Sequence, residues 1–381
     1  TASNAVIAIS FMKSVTSKAK NYWHFIQAII AVLYYKYPAQ HLKVVGITGT
    51  DGKTTTASII YEMLSEAGFK TGLVTTVSAK IGGKDYDTGL HTTTPDPFKL
   101  QKFLRQMVSA GCTHAVIEAT SHGLDQHRVF GCNFKVGVVT NITHEHLDYH
   151  RTFQKYLEAK AKMFKRAKVA ILNSEDKSFD YLKTIAGGAI IAYAPQREKG
   201  SKDNKAFIEA VKGNPELKGD YNWSNALAAI KTAQALSIAD ISILAALKSF
   251  RSVSGRFETL QSGKDKATVV LDFAHTPNAL ENLLKRCRDL KPRRLVIVFG
   301  CAGERDKSKR PLMGKIALKM ADLVVLTAED PRSEKVGDII EQIVPGYNNK
   351  VSKIEDRGEA IKHTIENFSS AGDLVVVTGK G

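Results

Sequence analysis

A glycine-rich loop holds the residues of this chain best suited to chemistry. Residues 43–47 (KVVGI) predict a buried strand, the segment TGTDGKTTT follows, and residues 54–67 have the apolar spacing of a helix. Gly49 and Gly52 allow backbone N–H groups to turn towards an anion. Lys53 can reach the β and γ phosphates, and Thr54 can offer a hydroxyl to Mg²⁺. The spacing departs from GxxxxGK[ST], since Ile47 replaces the first glycine. The predicted nucleotide-binding residues of the loop are Gly49, Thr50, Asp51, Gly52, Lys53, Thr54 and Thr55.

The elements that must position this loop alternate between strands and helices. Further strand-like runs occur at residues 72–77, 113–118, 136–140 and 169–173, and the pattern restarts with TVVLDF at residue 268. Such alternation predicts parallel sheets covered by helices. We therefore expect an α/β protein: a short helical extension (1–42), a central P-loop ATPase domain with a mostly parallel sheet (43–256), and a C-terminal Rossmann-like domain (257–381).

Composition narrows the classes of function. A chain of 381 residues, 43% hydrophobic and 24% charged, is typical of a globular protein of two or three domains. The net charge of +16 favours anionic partners. The lysines are spread along the chain, which favours a basic groove for phosphates and argues against a nucleic-acid partner. Four cysteines without a CxxC pair argue against zinc-ribbon and thioredoxin folds, and we expect them to be reduced core residues.

The apolar run at residues 22–37 (YWHFIQAIIAVLYYKY) contains no acidic residue. Three structures compete for it: a helix packed on the body or at a dimer contact, an interfacial membrane helix with basic flanks, and a spanning helix. The run falls short of the ~20 residues that a span needs. We expect a monomer or weak dimer in the cytoplasm, with peripheral contact at the inner face of the membrane through residues 22–37 as one alternative.

Nine motifs in one order resemble those of the Mur ligase family, the ATP-dependent amide-forming enzymes of peptidoglycan precursor synthesis. The resemblance is most specific to its MurE-like branch, which adds the third residue of the stem peptide. The motifs are TGTDGKTTT (48–56), HTTTPDP (91–97), EATSHGLDQHRV (118–129), TNITHEHLDYH (140–150), YNWSNALAA (221–229), SGRFE (254–258), LDFAHTPNAL (271–280), FGCAGERDKSKRPLMG (299–314) and DRGEAI (356–361).

The resemblance implies a reaction that joins a carboxylate to an amine through an acyl phosphate formed from ATP. It implies that Lys53, Glu118, His146 and Lys160 are catalytic, with Thr54, Glu118, His146 and Lys160 holding Mg²⁺. Lys160 stands where the family carries a carbamylated lysine; Lys162 is the alternative, and spacing favours Lys160. A carbamate would replace a cation that repels Mg²⁺ with an anion.

Further site residues follow from the same resemblance. Asn141, Asn225, Arg256 and Asp272 are expected at the nucleotide, with Arg256 in a segment (254–257) about which the domains close. Thr93, Thr94, Ser121 and Arg128 are expected to hold the acceptor. Lys309 and Arg310 form a basic pair that faces either phosphate or solvent.

The amino-acid substrate is expected at His275, Asp330 and Arg332. The sequence EDPR (329–332) stands where the diaminopimelate-adding enzymes carry DNPR. The retained arginine favours meso-diaminopimelate over lysine, while the first two positions differ.

The resemblance covers residues 43–381, and about 42 residues precede it. We expect that the usual UDP-binding N-terminal domain is absent, which raises the alternative of a lipid-linked acceptor, and that the chain is short at its C-terminus. Two other functions stay open: another carboxylate–amine ligase, of the polyglutamate or cyanophycin type, and a nucleotide-binding scaffold with little activity.

Overall fold

The computed structural model describes residues 19–88, 93–143, 145–251, 253–261, 266–346 and 349–379. The chain divides into two compact units: unit 1 comprises residues 1–143 and 153–250, and unit 2 comprises residues 144–152 and 251–381. The sequence did not indicate that residues 144–152 belong with the later part of the chain. The boundary predicted between residues 256 and 257 stays a prediction.

Unit 1 is built on an eight-stranded sheet of order β4-β3-β2-β5-β1-β6-β7-β8. Strands β2, β5, β1, β6, β7 and β8 pair in parallel, and β3 and β4 add an antiparallel edge. The strands are β1 (Lys43–Thr48), β2 (Thr71–Val74), β3 (Ala79–Ile81), β4 (Lys84–Tyr86), β5 (His114–Glu118), β6 (Val136–Val139), β7 (Val169–Asn173) and β8 (Ala189–Tyr193).

Helices cover this sheet because its central strands are apolar on both faces and must be buried. They are α1 (residues 19–34), α2 (Lys53–Glu66), α3 (Pro97–Ser109), α4 (Ser121–Asp125), α6 (Phe153–Phe164), α7 (Phe179–Ile185), α8 (Pro195–Glu198), α9 (Lys205–Gly213), α10 (Asp220–Ala235) and α11 (Asp240–Ser249), with 3₁₀ turns at Pro38–His41 and Pro215–Leu217. Close packing needs small residues: a Cβ at Gly46 in β1 would lie 2.6 Å from the Phe134 ring.

Unit 2 contains a six-stranded sheet of order β13-β12-β11-β14-β10-β9, in which only β9 is antiparallel to its neighbour. Its strands are β9 (Glu258–Gln261), β10 (Thr268–Asp272), β11 (Leu295–Phe299), β12 (Leu323–Leu326), β13 (Val351–Lys353) and β14 (Leu374–Thr378). Its helices are α5 (Leu147–His150), α12 (Pro277–Asp289), α13 (Lys309–Met320), α14 (Val336–Ile343) and α15 (Arg357–His363), the last continuing into a π-helical turn (Thr364–Phe368). Apolar clusters pack on both faces of the sheet.

The predicted α/β architecture with mostly parallel sheets is confirmed. Every strand predicted from an apolar run is present, with bounds within about three residues. The short strands β3, β4, β8, β9 and β13 were not predicted. The four cysteines are buried and unpaired, as expected.

The N-terminal apolar run forms α1, which packs on unit 1. The Phe25 ring lies 5.0 Å from the His127 ring and 5.2 Å from the Phe130 ring. Residues 1–18 of the predicted extension lie outside the described residues. In the part of the chain that is described, no helix combines the length and apolar character needed to span a membrane.

Candidate functional site

The phosphate loop connects β1 to α2, and its shape requires glycine at two positions. Gly49 and Gly52 have φ angles of 152° and 80°. A Cβ at Gly49 would lie 1.8 Å from Thr140 Oγ1, and one at Gly52 would lie 2.1 Å from Asn225 Oδ1. Any side chain at either position would therefore force the loop to move. Asn225, predicted at the nucleotide, lies directly behind the loop and is buried.

Residues just after β6 hold the loop backbone. The Asp51 N–H donates to Asn141 Oδ1 at 3.0 Å, and the Asp51 carbonyl accepts from Thr140 Oγ1 at 2.6 Å and from Asn141 Nδ2 at 3.2 Å. The Thr50 N–H donates to the Asn141 carbonyl at 2.8 Å. The Asn141 amide thus fixes the loop backbone in this structure, and its expected place at the nucleotide stays a prediction.

Lys53 and Thr54 open helix α2 directly after the loop. The Lys53 Nζ donates to the Thr50 carbonyl at 2.8 Å, so its side chain folds back over the loop. Thr54 is buried in the first turn. Because the N–H groups of a first helical turn have no intrahelical partners, the helix start favours an anion at this place.

Lys160 in α6 contacts the same loop. Its Nζ donates to the Gly49 carbonyl at 2.6 Å and lies 4.6 Å from the centre of the Tyr156 ring, and the residue is only 1% exposed. Lys162 faces elsewhere: its Nζ pairs with Asp125 Oδ1 at 2.6 Å, and 40% of its side chain is exposed. Lys160 thus contacts the phosphate loop, and the choice of Lys160 over Lys162 stays a prediction.

Glu118 ends β5 next to the end of β1, where its Cα pairs in register with Ile47. Its Oε2 accepts from the N–H and the hydroxyl of Thr76, both at 2.7 Å. Its Oε1 is buried and has no hydrogen-bond partner among the described residues. An unpaired carboxylate oxygen in a buried site is costly unless a cation or donor completes it. Mg²⁺ prefers such oxygen ligands, so the residues present fit this ion.

Three of the residues predicted for the acceptor lie together beside Glu118. Thr94 Oγ1 donates to the Glu118 carbonyl at 3.2 Å, and the Thr94 carbonyl accepts from Arg128 Nη1 at 2.8 Å. Ser121 opens α4, and its hydroxyl is buried without a partner among the described residues. Thr93 is half-buried next to Thr94.

In unit 2, Asp272 ends β10 and holds the backbone at two places, one before β9 and one just after β10. Its carboxylate accepts from the N–H groups of Phe257 (2.9 Å) and Ala274 (2.8 Å). Burial raises the pKa of Asp272, and the charge of Arg256 partly opposes that rise. The Arg256 guanidinium lies 4.9 Å from the Phe273 ring centre. The centre of the His275 ring lies 5.1 Å from the centre of the Phe273 ring.

Lys309, at the start of α13, is buried among anionic groups. Its Nζ donates to the His275 carbonyl at 2.8 Å and to Glu145 Oε1 at 3.2 Å. Burial alone lowers the pKa of Lys309, but Glu145, with Cys301 and Glu329, raises it overall. Burial also raises the pKa of Glu329, against the lowering effect of Lys309.

The prediction that Lys309 and Arg310 together face phosphate or solvent is wrong for Arg310. Arg310 is fully buried and holds structure together. Its guanidinium donates to Glu334 Oε2 at 2.9 Å, to Gln342 Oε1 at 2.6 Å and to the Ala302 carbonyl at 3.0 Å. With Lys309 paired to Glu145, both cations are compensated inside unit 2.

Asp330 and Arg332 lie on the loop after β12. Arg332 Nε is 3.8 Å from Asp330 Oδ2, and both side chains are partly exposed. A backbone hydrogen bond holds the loop, since the Gly303 N–H donates to the Asp330 carbonyl at 2.8 Å. A cation and an anion are therefore presented side by side at the carboxyl end of the sheet, where open α/β sheets bind ligands.

His146 belongs to unit 2, where it precedes α5 with a left-handed φ of 56°. Its predicted role as a metal ligand stays a prediction. No group of three or more His, Cys, Asp or Glu side chains suited to a metal occurs within the described ranges.

Sequence reasoning missed three residues that support these sites: Thr76, Tyr156 and Glu145. Tyr156 precedes Lys160 by one helical turn, and its hydroxyl lies 2.9 Å from Thr50 Oγ1; its helical spacing from Lys160 was a usable signal. Thr76 and Glu145 had none, because their partners lie 42 and 164 residues away in sequence.

A parallel-sheet unit with a phosphate loop, followed by a Rossmann-like unit, defines a two-domain nucleotide-dependent enzyme. A model of the Mur ligase middle domain matches residues 47–233, and one of the Mur ligase glutamate ligase domain matches residues 255–381. The chain belongs to the Mur ligase family, which confirms the prediction from its motifs.

Two relatives are UDP-N-acetylmuramoyl-L-alanyl-D-glutamate–2,6-diaminopimelate ligases. The chain is 38% identical to that of Geobacillus kaustophilus, over 93% of this chain and 77% of the relative. It is 40% identical to that of Aquifex aeolicus, over 91% of this chain and 74% of the relative.

Solved structures agree with the fold. A structure of a ligase with the same name aligns with a TM-score of 0.57 at 31% identity, covering 89% of this chain and 73% of that one. A folylpolyglutamate synthase of Mycobacterium tuberculosis, complexed with ADP and AMPPCP, aligns with a TM-score of 0.71 at 17% identity over 93% of this chain and 92% of that one. The second likeness concerns the fold alone.

Proposed function

We propose that this chain is an ATP-dependent ligase that joins the carboxylate of a muramyl-peptide acceptor to an amino group of 2,6-diaminopimelate. The observation that carries the proposal is the closed phosphate loop beside the buried, incompletely bonded carboxylate of Glu118. The names of the relatives support the choice of substrates.

The reaction needs activation because a carboxylate is a poor electrophile. The acceptor carboxylate takes the γ-phosphoryl group of ATP, which releases ADP and leaves an acyl phosphate. The amino group attacks the acyl carbon, phosphate departs, and the nitrogen loses a proton as the amide forms. Both steps gather negative charge, so the loop N–H groups and Lys53 act by holding and neutralising it.

Glu118 and Thr54, both in unit 1, are the residues we assign to Mg²⁺. When bound, Mg²⁺ supplies charge neutralisation to the phosphates. The part played by the chain is to present the Glu118 Oε1 atom while Thr76 fixes the other carboxylate oxygen. Thr94, Ser121 and Arg128, gathered next to Glu118, are assigned to the acceptor.

We assign a carbamate to Lys160. As an ammonium, its Nζ donates to the Gly49 carbonyl, within the loop that is to hold a polyanion and its metal. Reaction of the neutral amine with CO₂ would form an N–C bond, release a proton and turn the side chain into an anion suited to Mg²⁺. In ¹³C-bicarbonate, NMR should show a carbamate carbon that is absent in Lys160→Ala and retained in Lys162→Ala. A carbamate signal that survives in Lys160→Ala would contradict the assignment.

Diaminopimelate fits the pair formed by Asp330 and Arg332. The distal end of this amino acid carries both a carboxylate and an ammonium, which match the guanidinium and the carboxylate that lie 3.8 Å apart. Lysine, which has only the ammonium, would leave Arg332 without an anionic ligand. Arg332→Ala should therefore reduce turnover of diaminopimelate far more than any turnover of lysine.

The assay combines protein, ATP, Mg²⁺ and UDP-muramyl dipeptide with a panel of amino acids, and measures phosphate release and product mass. Phosphate release that requires both acceptor and amino acid supports the ligase. Lys53→Ala should abolish it without loss of folding, while Lys162→Ala, which alters an exposed pair, should remain active. Release that requires neither co-substrate, or no release, would favour a nucleotide-binding scaffold; products with glutamate or other acceptors would favour another ligase class.

A further inference from the structure

Helix α1 exposes an apolar face along its whole described length. Tyr22, Trp23, Ile30, Leu33 and Tyr34 are between 47% and 71% exposed. At 100° per residue these five side chains occupy one arc of about a third of the helix circumference. A contiguous exposed apolar patch of this kind marks an interaction site more often than scattered surface residues do.

The opposite face of α1 is already packed, so the exposed arc is a true surface of unit 1. Ala28, Ala31 and Val32 are buried. A Cβ at Gly131 would lie 2.7 Å from a Val32 methyl group, and Phe25 contacts the Phe130 ring edge-on at 5.2 Å. These contacts fix which side chains of the helix point outward.

The sequence that carries the arc is basic and contains no acidic residue. The first 50 residues contain five lysines and no aspartate or glutamate. Lys20 and Lys36 are exposed at the two ends of the apolar arc. Trp and Tyr side chains carry a polar group on an apolar ring, a composition that concentrates at membrane–water interfaces.

We propose that α1 docks on an anionic lipid surface and lies in the plane of the interface. The apolar arc would enter the boundary between headgroups and acyl chains, while the flanking lysines would contact the anionic headgroups. A second copy of the chain fits less well, because it would bring two basic segments of like charge together. The proposal goes beyond the ligase activity and does not depend on it.

Flotation of the full chain with lipid vesicles tests the proposal. The protein should float with vesicles of phosphatidylcholine and phosphatidylglycerol at low salt, and should float far less with phosphatidylcholine alone or at high salt. Ile30→Ser/Leu33→Ser should weaken vesicle affinity about tenfold. The control is Leu290→Ser/Leu312→Ser, in which both leucines are 53% exposed, as is Leu33, but lie in unit 2. It should bind as the parent does.

Tryptophan fluorescence locates the contact. The chain has two tryptophans: Trp23 is 57% exposed on the arc and Trp223 is 4% exposed in the core. Anionic vesicles should shift the emission to shorter wavelength, and brominated lipids should quench it. Trp23→Phe should remove both effects, leaving the Trp223 emission unchanged.

Three results would overturn the proposal: no flotation with anionic vesicles, equal flotation of Ile30→Ser/Leu33→Ser and the parent, or quenching that persists in Trp23→Phe. Sedimentation velocity tests the alternative that a second copy of the chain covers the arc. A concentration-dependent dimer that is lost in Ile30→Ser/Leu33→Ser, together with no vesicle binding, would assign the arc to a second copy and likewise reject the lipid surface.

Discussion

The phosphate loop of unit 1 and the charged loops of unit 2 solve different physical problems. The loop after β1 is shaped by its backbone, and residues about 90 positions later in the chain close it through hydrogen bonds. The region around Lys309 is shaped by ionic side chains that are buried in compensating pairs. The phosphate loop should therefore be intolerant of added atoms, and the region around Lys309 of unbalanced charge.

The largest effect should come from adding one methyl group to the phosphate loop. Gly52→Ala places a Cβ 2.1 Å from Asn225 Oδ1. The loop must then shift by about an ångström, and a shift of that size at a reacting group can lower turnover about 100-fold. Phosphate release in the ligase assay measures the change.

Gly83→Ala is the matched control. Gly83 has the same φ of 80°, but no atom lies within 4 Å of the added Cβ. Both variants bear the cost of a left-handed alanine, and only Gly52→Ala also meets a neighbour. Comparable activity in the two variants would show that the backbone strain of a left-handed alanine, and not the contact with Asn225, accounts for the loss of turnover in Gly52→Ala.

Unit 2 should respond most strongly to the loss of a buried cation. Lys309→Met leaves the carboxylate of Glu145 buried without its ion-pair partner and removes a cation near Glu329. Breaking a buried pair in this way should lower the free energy of unfolding by about 3 kcal/mol. Urea unfolding at pH 7 without nucleotide measures it.

The control removes an exposed lysine from the same unit. Lys285 pairs with Glu281 on the surface of α12, with 59% of its side chain exposed. Lys285→Met should change the free energy of unfolding by about 0.5 kcal/mol or less. Equal losses of unfolding free energy in the two variants would mean that the burial of Lys309 does not make its ion pair more important for stability than an exposed pair.

Much of unit 1 could be predicted because its signals are local. The strand, the glycines and the helix start that make the phosphate loop are contiguous in sequence. The family resemblance and motif spacing singled out Lys160, which contacts this loop in the structure. The apolar runs that form the central strands were equally clear, since both faces of those strands are buried. Strands β3 and β4 were missed because three-residue strands carry too little periodicity.

The parts that could not be predicted depend on contacts made by tertiary structure. Thr76 contacts Glu118 only because β2 pairs with β5, and no local sequence pattern predicts that pairing. Arg310 follows Lys309 in a strongly basic segment, which suggested an exposed patch, yet it is fully buried by partners 24 and 32 residues away. Charge pattern alone does not reveal whether a cation is compensated.

Mild acid should affect unit 1 through a buried histidine. Burial, with a smaller effect of Lys43, lowers the pKa of His114 from 6.5 to about 4. The unfolded chain therefore binds this proton at a higher pH than the folded chain. Stability is full above pH ~6.5 and declines as the pH falls towards 4, by an amount on the order of 2 kcal/mol.

His114→Gln should reduce the slope of the unfolding free energy against pH between pH ~6.5 and 4. His41→Gln, which removes an exposed imidazole, serves as control. If the slopes between pH 6.5 and 4 are the same in His114→Gln and the parent, the neutral histidine is not what makes unit 1 acid-sensitive.

The smallest effect should be the same in both units, and this equality limits the contrast between them. Asp96 caps α3 in unit 1 by accepting from the Lys99 N–H at 3.1 Å, and Asp356 caps α15 in unit 2 by accepting from the Glu359 N–H at 2.8 Å. Replacing either aspartate by alanine should lower the free energy of unfolding by about 1 kcal/mol, because a cap acts on its own helix start wherever the helix lies. Thermal unfolding of Asp96→Ala and Asp356→Ala measures both. A difference of more than about 1 kcal/mol between the two variants would mean that one unit is more sensitive than the other to any substitution. The different responses to added atoms and to unbalanced charge would then reflect that general sensitivity, and not the two sites.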